Sequence, residues 1–335
     1  MSDPVSVRVA VLDDYQQVAA DLADWSGRLP SAELRFFHSH HASAAALVAD
    51  LESYDVVVAM RERTPFPRDV LTKLPRLRLL VTTGMHNASI DLGAAAQLGV
   101  AVTGTGGVPG ATAELTWALV LGLTRTVAAD DARVRAGGWQ DSLGRDLAGH
   151  TLGVVGLGRL GSRVAQVGRA FGMRVVAWSP HLTAERAAAQ EVEAVSKADL
   201  FASSDVVTIH MPLHESTRGL IGEADLRAMR GDAVLVNTSR GPLIDEKALA
   251  RALEEGWFRG AGLDVFDIEP LPAEHWLRRA PRTLLSPHMG YVTEATYKVF
   301  YQDAVEDIAA FLAGSPVRLL TPAPAPATVP APENA

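Results

Sequence analysis

Residues 154–165 read VVGLGRLGSRVA, an apolar strand that turns through three glycines into a helix. Each glycine has its own physical reason. Gly156 permits the tight turn, Gly158 lets the backbone approach a phosphate, and Gly161 allows the helix to pack closely against the strand. The free amides and the dipole at the start of the helix then attract phosphate charge. The pattern therefore predicts a site for the pyrophosphate of a dinucleotide.

The sequence on both sides of this turn alternates between apolar strands and amphipathic helices. Continuous apolar strands separated by helices are typical of a parallel sheet covered on both faces. Five strand candidates come first, at residues 7–14, 33–37, 55–60, 77–83 and 100–104. Six more follow from Thr151, in TLGVVGLG, MRVVAWS, DVVTIHM, DAVLVNTS, GAGLDVF and RTLLSPH. The chain is predicted to be an α/β protein with two sheets, the second having the strands expected of a dinucleotide-binding sheet.

Other segments separate or follow these sheets. GTGGVPG, at 104–110, interrupts the alternation and precedes a single helix predicted over 111–136. A last helix is predicted over Glu294–Leu312. The Pro/Ala-rich tail at 321–335 is predicted to be disordered or extended.

Composition excludes several classes of protein. Of 335 residues, 48% are hydrophobic and 21% charged, which excludes a disordered protein. The net charge of −8 argues against non-specific binding to nucleic acid or an anionic membrane. The absence of cysteine excludes disulfides, thiolate metal sites and a cysteine nucleophile. No apolar run reaches the about 18 residues of a membrane span and no signal-like segment begins the chain, so we expect a soluble, cytoplasmic protein.

No metal site is predicted. His38, His40 and His41 form a cluster near the start of the chain. Because no acidic ligand pattern adjoins them in sequence, we expect them to be solvated loop residues.

Three later segments each place a polar residue after an apolar strand, where ligands of open α/β sheets bind. They present Arg240, Glu269 and His288. Reducing a carbonyl by hydride transfer needs a cation to orient the substrate and an acid to protonate the developing alkoxide, and a carboxylate can keep a histidine protonated near neutral pH. Taken singly, the three have ordinary alternatives: a surface ion pair, a turn residue and a hydrogen-bonded core histidine. Together, after the glycine turn, they predict a catalytic set.

The chain resembles the D-isomer-specific 2-hydroxyacid dehydrogenases, the group that contains D-3-phosphoglycerate, D-lactate and glycerate/hydroxypyruvate enzymes. The resemblance is most specific in VVGLGRLGSRVA, TIHMPLHEST, LVNTSRGPLIDEKAL, GAGLDVFDIEPLP and LLSPHMGYVTEAT. It implies two open, doubly wound parallel-sheet domains, with a Rossmann cofactor domain inserted into a flavodoxin-like substrate domain. The implied division is 1–103 with 294–320 for the substrate domain, 104–293 for the cofactor domain, and 321–335 for the tail.

The resemblance also implies roles for individual residues. Arg240 binds the substrate carboxylate and carbonyl, His288 is the acid/base, and Glu269 is its partner. Asp264 holds the nicotinamide end of the cofactor. The other implied cofactor-binding residues are Gly156, Gly158, Arg159, Leu160, Gly161, Ser179, His210, Pro212, Thr217, Thr238, Ser239 and Gly290. The implied substrates are a D-2-hydroxy acid and its 2-oxo acid, and the implied assembly is a homodimer.

Ser179, at the end of the second strand of the cofactor domain, bears on the choice of cofactor. An acidic residue there would accept both ribose hydroxyls and disfavour a 2′-phosphate. Serine does not repel that phosphate, and His181 and Arg186 follow nearby. Because no arginine directly follows Ser179, we predict NAD and leave NADP open.

The substrate loop departs from the commonest family pattern, G-x-G-x-D-N-I-D. Residues 84–91 read GMHNASID, so a histidine replaces the second glycine and Ala-Ser replaces Asp-Asn. Gly84, Met85 and His86 are predicted to bind the substrate, the last two through backbone amides, while the identity of the acid stays open. Arg61 is predicted to reach a phosphate or second acid group; a solvated surface arginine is the alternative.

Two other functions stay open on the sequence alone. One is a non-enzymatic NAD(H)-binding regulator on the same fold. The other is a formate or phosphite dehydrogenase. A formate enzyme usually carries glutamine where Glu269 stands, which counts against it, whereas a phosphite enzyme retains a similar acidic partner.

Overall fold

The computed structural model describes residues 6–321. Within that range the chain divides into two compact units, the first made of the residues through Val108 with those from Glu294 onward, and the second of Pro109–Thr293. The tail predicted at 321–335 lies outside the described residues except for Thr321. That residue is buried, and its hydroxyl accepts a hydrogen bond from the backbone N–H of Val102 at 3.0 Å.

The first unit is built on a five-stranded parallel sheet, which confirms the predicted α/β class for this part of the chain. Its strands are β1 (Val7–Val11), β2 (Ala32–Phe36), β3 (Val56–Ala59), β4 (Leu79–Thr82) and β5 (Ala101–Gly104). The strand order is β2-β1-β3-β4-β5. Strands β3 to β5 are buried along their whole length, as expected of parallel strands with helices on both faces.

Short helices connect these strands. They are α1 (Ala19–Leu22), α2 (Trp25–Arg28), α3 (Ala44–Leu51), α4 (Arg68–Leu71) and α5 (Leu92–Gln97). Asp24, Ser43 and Asp91 each accept a backbone N–H at the start of α2, α3 and α5, respectively. Such caps explain why helices this short begin where they do.

The second unit contains a seven-stranded parallel sheet in the order β12-β11-β10-β9-β6-β7-β8. Its strands are β6 (Thr151–Val155), β7 (Arg174–Trp178), β8 (Glu193–Ala194), β9 (Val206–Ile209), β10 (Val234–Asn237), β11 (Gly260–Leu263) and β12 (Thr283–Leu285). The six predicted strands are confirmed. The prediction missed β8, because a two-residue edge strand of glutamate and alanine has no apolar run.

The helices of the second unit are α6 (Ala111–Thr124), α7 (Val127–Arg135), α8 (Arg159–Ala170), α9 (Ala184–Ala188), α10 (Lys197–Ser203), α11 (Glu223–Ala228) and α12 (Glu246–Glu255). The prediction of one helix over 111–136 is wrong. Thr126 adopts a left-handed conformation, with φ of 53°, and separates α6 from α7. The physical reason is burial: α6 packs on β10 and β11, whereas every residue of α7 is exposed or half-buried.

The predicted last helix is confirmed as α13 (Glu294–Leu312), and it packs against α1, α2 and β4 of the first unit. Its buried face carries Tyr297, Phe300 and Tyr301. It also buries Asp307 completely, which raises the pKa of that carboxyl to about 6 although Arg318 donates to it at 2.8 and 2.9 Å. This helix therefore completes the core of the first unit.

The three clustered histidines lie in a loop, as predicted, and His38 is exposed, but the prediction is wrong for His40 and His41, which are not simply solvated. His40 Nδ1 lies 3.2 Å from the buried carboxylate of Asp13, and His41 Nε2 lies 3.1 Å from Asp50. The hydrogen bond to Asp13 raises the pKa of His40. These acids come from the loop after β1 and from α3, which adjacency in sequence does not show. Among residues 6–321, no group of three or more His, Asp or Glu side chains is arranged to hold a metal ion.

Across the same described range, every helix is too short or too polar to cross a bilayer.

Candidate active site

The glycine turn after β6 has the geometry that its sequence predicts. Gly156 has φ of +98°, and a Cβ there would lie 2.7 Å from the His210 carbonyl oxygen. A Cβ at Gly161 would overlap the carbonyl of Gly156. In contrast, apart from its two neighbours in the chain, no residue of 6–321 would place an atom within 4 Å of a Cβ at Gly158, which caps the start of α8. Backbone and space at this helix terminus therefore fit a pyrophosphate group.

The other predicted cofactor residues follow neighbouring strands of the same sheet. Ser179 follows β7, His210 follows β9, and Thr238 and Ser239 follow β10. The Ser239 hydroxyl donates to the Met211 carbonyl at 2.5 Å, which ties the loops after β9 and β10 together. The carboxyl ends of parallel strands lie on the same side of the sheet. These residues therefore lie on the side that carries the glycine turn.

His210 is neutral in this setting. Both of its ring nitrogens are buried, and burial lowers the pKa of its imidazole to about 4. The loop that follows is ordered by Thr217, whose hydroxyl donates to the Pro212 carbonyl and accepts the His214 N–H, both at 2.8 Å. The predicted positions Pro212 and Thr217 thus belong to one hydrogen-bonded turn, which follows His210.

The structure brings two of the three predicted catalytic side chains into contact. His288 follows β12 and Glu269 follows β11, and His288 Nδ1 lies 2.5 Å from Glu269 Oε2. The other carboxylate oxygen of Glu269 accepts the backbone N–H of Phe266 at 2.8 Å. Both side chains are partly exposed, at 19% and 30%. The carboxylate is anchored at both oxygens, and Nε2 is the imidazole nitrogen that remains for a substrate.

Asp264 has a structural role that sequence reasoning missed. Its buried carboxylate accepts the backbone N–H groups of Met289 and Gly290 at 2.7 and 2.9 Å, and its carbonyl accepts the His288 N–H at 2.8 Å. Burial raises the pKa of this carboxyl. His288 itself has a positive φ of 54°. The end of β11 therefore braces the loop that carries His288 in an uncommon backbone conformation.

Arg240 lies in the loop after β10. Its Nη1 donates to the Ser239 carbonyl at 2.7 Å. The buried side chain of Asn237 shapes this loop, donating to the Arg240 carbonyl at 2.9 Å and accepting the Ser239 N–H at 3.0 Å. Asn237 was not predicted as a site residue; its position in VLVNTSRG, at the last residue of a buried strand, is the available signal. Arg240, Glu269 and His288 thus follow three adjacent parallel strands.

The predicted substrate loop of the first unit follows β4. Gly84 has φ of +84°, and its N–H donates to the Thr105 hydroxyl at 2.7 Å, so this amide is already used within the protein. The side chains of Met85 and His86 are exposed. Within the described part of the chain, the backbone N–H groups of Met85 and His86 have no hydrogen-bond acceptor. Backbone N–H groups of this kind are the donors that a carboxylate site requires.

Arg61 is tied to this loop, and the alternative of a solvated surface arginine is wrong. Its side chain is only 22% exposed, and Nη1 donates to the Thr83 carbonyl at 3.2 Å. Its Nε lies 3.6 Å from Glu62. Asn87 donates to the Arg61 carbonyl at 2.6 Å, which joins the loops after β3 and β4. The guanidinium is thus packed against the backbone at Gly84.

Comparison with known proteins gives consistent matches. Residues 117–290 match the family model described as D-isomer specific 2-hydroxyacid dehydrogenase, NAD binding domain. The chain is 42% identical over 256 residues to a glyoxylate reductase of Aeropyrum pernix, covering 73% of this chain and 76% of that protein. It is 33% identical over 306 residues to a D-3-phosphoglycerate dehydrogenase of Bacillus subtilis, covering 90% of this chain and 58% of that protein. A crystal structure of phosphoglycerate oxidoreductase from Vibrio cholerae matches with a TM-score of 0.88 and 35% identity, covering 92% of this chain and 99% of that chain.

The fold, the glycine turn and these matches define an oxidoreductase that uses a nicotinamide cofactor and acts on a small hydroxy acid/oxo acid pair. The chain belongs to the D-isomer-specific 2-hydroxyacid dehydrogenases. The predicted family, fold class and enzyme class are therefore confirmed.

The open space at Gly158 generates the first prediction. In Gly158→Asp, a carboxylate would occupy the place where the backbone meets the pyrophosphate, and like charges repel. We expect the variant to lose the rise in melting temperature that NADH gives the wild-type protein. Differential scanning fluorimetry with and without NADH measures this.

Gly222→Asp is the matched control. Gly222 also caps the start of a helix, α11, and a Cβ there would likewise meet no atom of residues 6–321 within 4 Å, apart from those of its two neighbours in the chain. Aspartate is a favourable residue at such a position, so neither substitution is expected to damage its helix. A full NADH-dependent shift in Gly158→Asp would contradict the assignment.

Proposed function

We propose that the chain reduces a small 2-oxo acid to its D-2-hydroxy acid, and catalyses the reverse reaction, with His288 as the acid/base, Glu269 as its partner and Arg240 as the substrate-orienting cation. The observation that carries this proposal is the 2.5 Å contact between His288 Nδ1 and Glu269 Oε2. It commits one imidazole nitrogen to the carboxylate and leaves the other for proton transfer.

The reaction follows from the chemistry of these side chains. When bound, the reduced nicotinamide supplies the hydride that the carbonyl carbon accepts. The Arg240 guanidinium binds the substrate carboxylate and polarises the carbonyl oxygen. His288 Nε2 gives its proton to that oxygen as negative charge develops there, and the Glu269 carboxylate stabilises the protonated ring beforehand. In the oxidation direction the neutral imidazole accepts the hydroxyl proton.

We infer that the cofactor is NAD. Its pyrophosphate would be held by the start of α8, at Gly158, Arg159 and Leu160. Ser179 occupies the position at which an acidic residue would select NAD. The choice between NAD and NADP therefore depends on the cations near Ser179. The nearby Arg186 donates from Nη1 to the His181 carbonyl at 3.1 Å. No arginine directly follows Ser179, which favours NAD over a cofactor with a 2′-phosphate.

The substrate loop supports a small acid with one carboxylate. The N–H groups of Met85 and His86 are two donors suited to a carboxylate. Arg61, the cation predicted to bind a phosphate or second acid group of the substrate, contacts the Thr83 carbonyl and Glu62 instead. Its guanidinium therefore stabilises the backbone of the loop. The higher identity to the glyoxylate reductase, 42% against 33% for the phosphoglycerate dehydrogenase, agrees with a small substrate.

A substrate panel tests this function. We expect glyoxylate, pyruvate and hydroxypyruvate to be reduced faster than phosphohydroxypyruvate, and NADH to be used in preference to NADPH. Consumption of the cofactor is followed at 340 nm. No consumption across the panel would favour a non-enzymatic NAD(H)-binding regulator, and reduction of NAD⁺ with formate or phosphite would favour the other alternative.

The catalytic assignment predicts three different losses. Glu269→Gln removes the negative charge beside His288 with little change of shape, so the protonated imidazole loses its stabilising partner. Reduction by this variant should therefore be slower than in the wild type, with NADH binding intact. His288→Ala should cost on the order of 10²–10⁴-fold in kcat and leave NADH binding intact. Arg240→Ala should lose both substrate binding and turnover.

Measuring kcat and kcat/KM for reduction separates these cases. NADH binding, followed by fluorescence, is the control for a preserved cofactor site. Near-normal turnover in Glu269→Gln or in His288→Ala would contradict the role proposed for that residue.

We also propose that the chain forms a homodimer through α7 and the segment after it. This region exposes large apolar side chains, with Trp139 74% and Leu143 89% exposed. Val127 and Val134 on α7 are also exposed. Contiguous exposed apolar surface marks protein contacts.

Sedimentation velocity at micromolar concentration should give twice the chain mass of 35.6 kDa. The double variant Trp139→Glu/Leu143→Glu should shift the protein to monomer, because dimerisation would bury two carboxylates. A wild-type monomer would contradict this proposal and leave the proposed chemistry unaffected.

A further inference from the structure

Tyr291, three residues after His288, contacts the catalytic imidazole. The two ring centroids lie 5.4 Å apart and the ring planes meet at 72°, an edge-to-face arrangement. This is the geometry that aromatic pairs prefer, because the positive edge of one ring meets the negative face of the other. The tyrosine ring is partly buried, and its hydroxyl is buried.

The imidazole needs a second restraint beyond Glu269. A single hydrogen bond at Nδ1 fixes one atom of the ring, and rotation about the terminal torsion of a histidine side chain is otherwise only weakly restricted. Rotation would move Nε2, the nitrogen proposed to give the proton. A ring packed against the imidazole limits this rotation, and Tyr291 supplies one.

The position of Tyr291 is itself fixed by the backbone. The N–H of Val292 donates to the Met289 carbonyl at 2.9 Å, so residues 289–292 form a turn that returns Tyr291 toward His288. Gly290, at the centre of the turn, is held on both sides: its N–H donates to Asp264, and its carbonyl accepts the Thr112 hydroxyl at 2.9 Å. The hydrogen bonds of Asp264 therefore hold the backbone on which both Tyr291 and His288 lie.

We propose that Tyr291 is a positioning residue for the reaction: its ring holds the His288 imidazole in the orientation that directs Nε2 to the substrate. The inference rests on the proposed function, because it takes His288 as the acid. The contact surface of the ring carries the effect, and the hydroxyl is not required.

Three substitutions at Tyr291 separate the ring from its volume and its hydroxyl. Tyr291→Phe keeps the ring, Tyr291→Leu keeps much of the volume, and Tyr291→Ala removes both. With glyoxylate and NADH as the probe, we expect kcat to fall by about tenfold in the Leu and Ala variants, the order of effect of one lost aromatic contact. The KM for glyoxylate and the Kd for NADH should change by less than about threefold, and Tyr291→Phe should behave as the wild type.

A second readout does not depend on turnover. In protein labelled with ¹³C-histidine, the Cε1–H signal of His288 is identified by its loss in His288→Ala. The nearby aromatic ring shifts this signal, so it should keep its position in Tyr291→Phe and move in Tyr291→Leu. Val292→Ala, a change in the next residue of the same turn, is the matched control and should leave both the signal and kcat unchanged.

The outcomes distinguish the two proposals. Normal kcat in Tyr291→Leu would overturn the positioning role whatever the position of the His288 signal, and so would a loss in Tyr291→Phe equal to that in Tyr291→Ala. If Tyr291→Ala does not fold, the Leu and Phe variants decide the question alone. Near-normal turnover in His288→Ala would instead overturn the proposed function. Loss in His288→Ala with normal turnover in Tyr291→Leu would overturn only the role of Tyr291.

Discussion

The geometry proposed for catalysis in the second unit depends on the hydrogen bonds that the Asp264 carboxylate accepts. A buried carboxylate is costly unless hydrogen bonds satisfy it, and here the amides of Met289 and Gly290 do so. Satisfying the charge therefore fixes the loop after β12 to the end of β11. Glu269 comes from the loop after β11 as well, so the imidazole of His288 and its partner carboxylate are placed by the same strand. The proposed acid/base pair is held in place because its backbone is cross-linked by a buried carboxylate whose oxygens must be hydrogen-bonded.

A different constraint, the lack of space, shapes the cofactor end of the same sheet. At Gly156 and Gly161 a side chain would meet backbone oxygen atoms, so the turn can close only without one. At Gly158 the space is open on the protein side, and the pyrophosphate proposed to bind there would be what limits a side chain. Neutral His210 adjoins this turn and brings no charge of its own to it. The helix terminus and its amides are left as the main attraction for phosphate.

The sequence predicts the features that rest on local pattern. Continuous apolar runs identify all strands but β8, and the glycine spacing identifies the pyrophosphate turn. Features that depend on contacts distant in sequence were not predictable. The break at Thr126 follows from which part of the helix the sheet buries, and the pairing of His40 with Asp13 joins two separate loops. The same limit applies to Asp264 and Asn237, whose hydrogen bonds show only once the loops are folded, and to Arg61, whose exposure cannot be read from its neighbours.

The arrangement of the proposed catalytic side chains has a consequence for how such a chain can diversify. Arg240, Glu269 and His288 lie within 49 consecutive residues, after adjacent strands of a single sheet. The loop at Gly84 belongs to the other unit, with its own core and its own hydrogen bonds. Mutations that reshape this loop need not disturb the packing that aligns the proton donor. Mutation can therefore vary the proposed substrate loop while the proposed proton-transfer residues keep their packing, and a laboratory library confined to residues 84–89 would exploit the same separation.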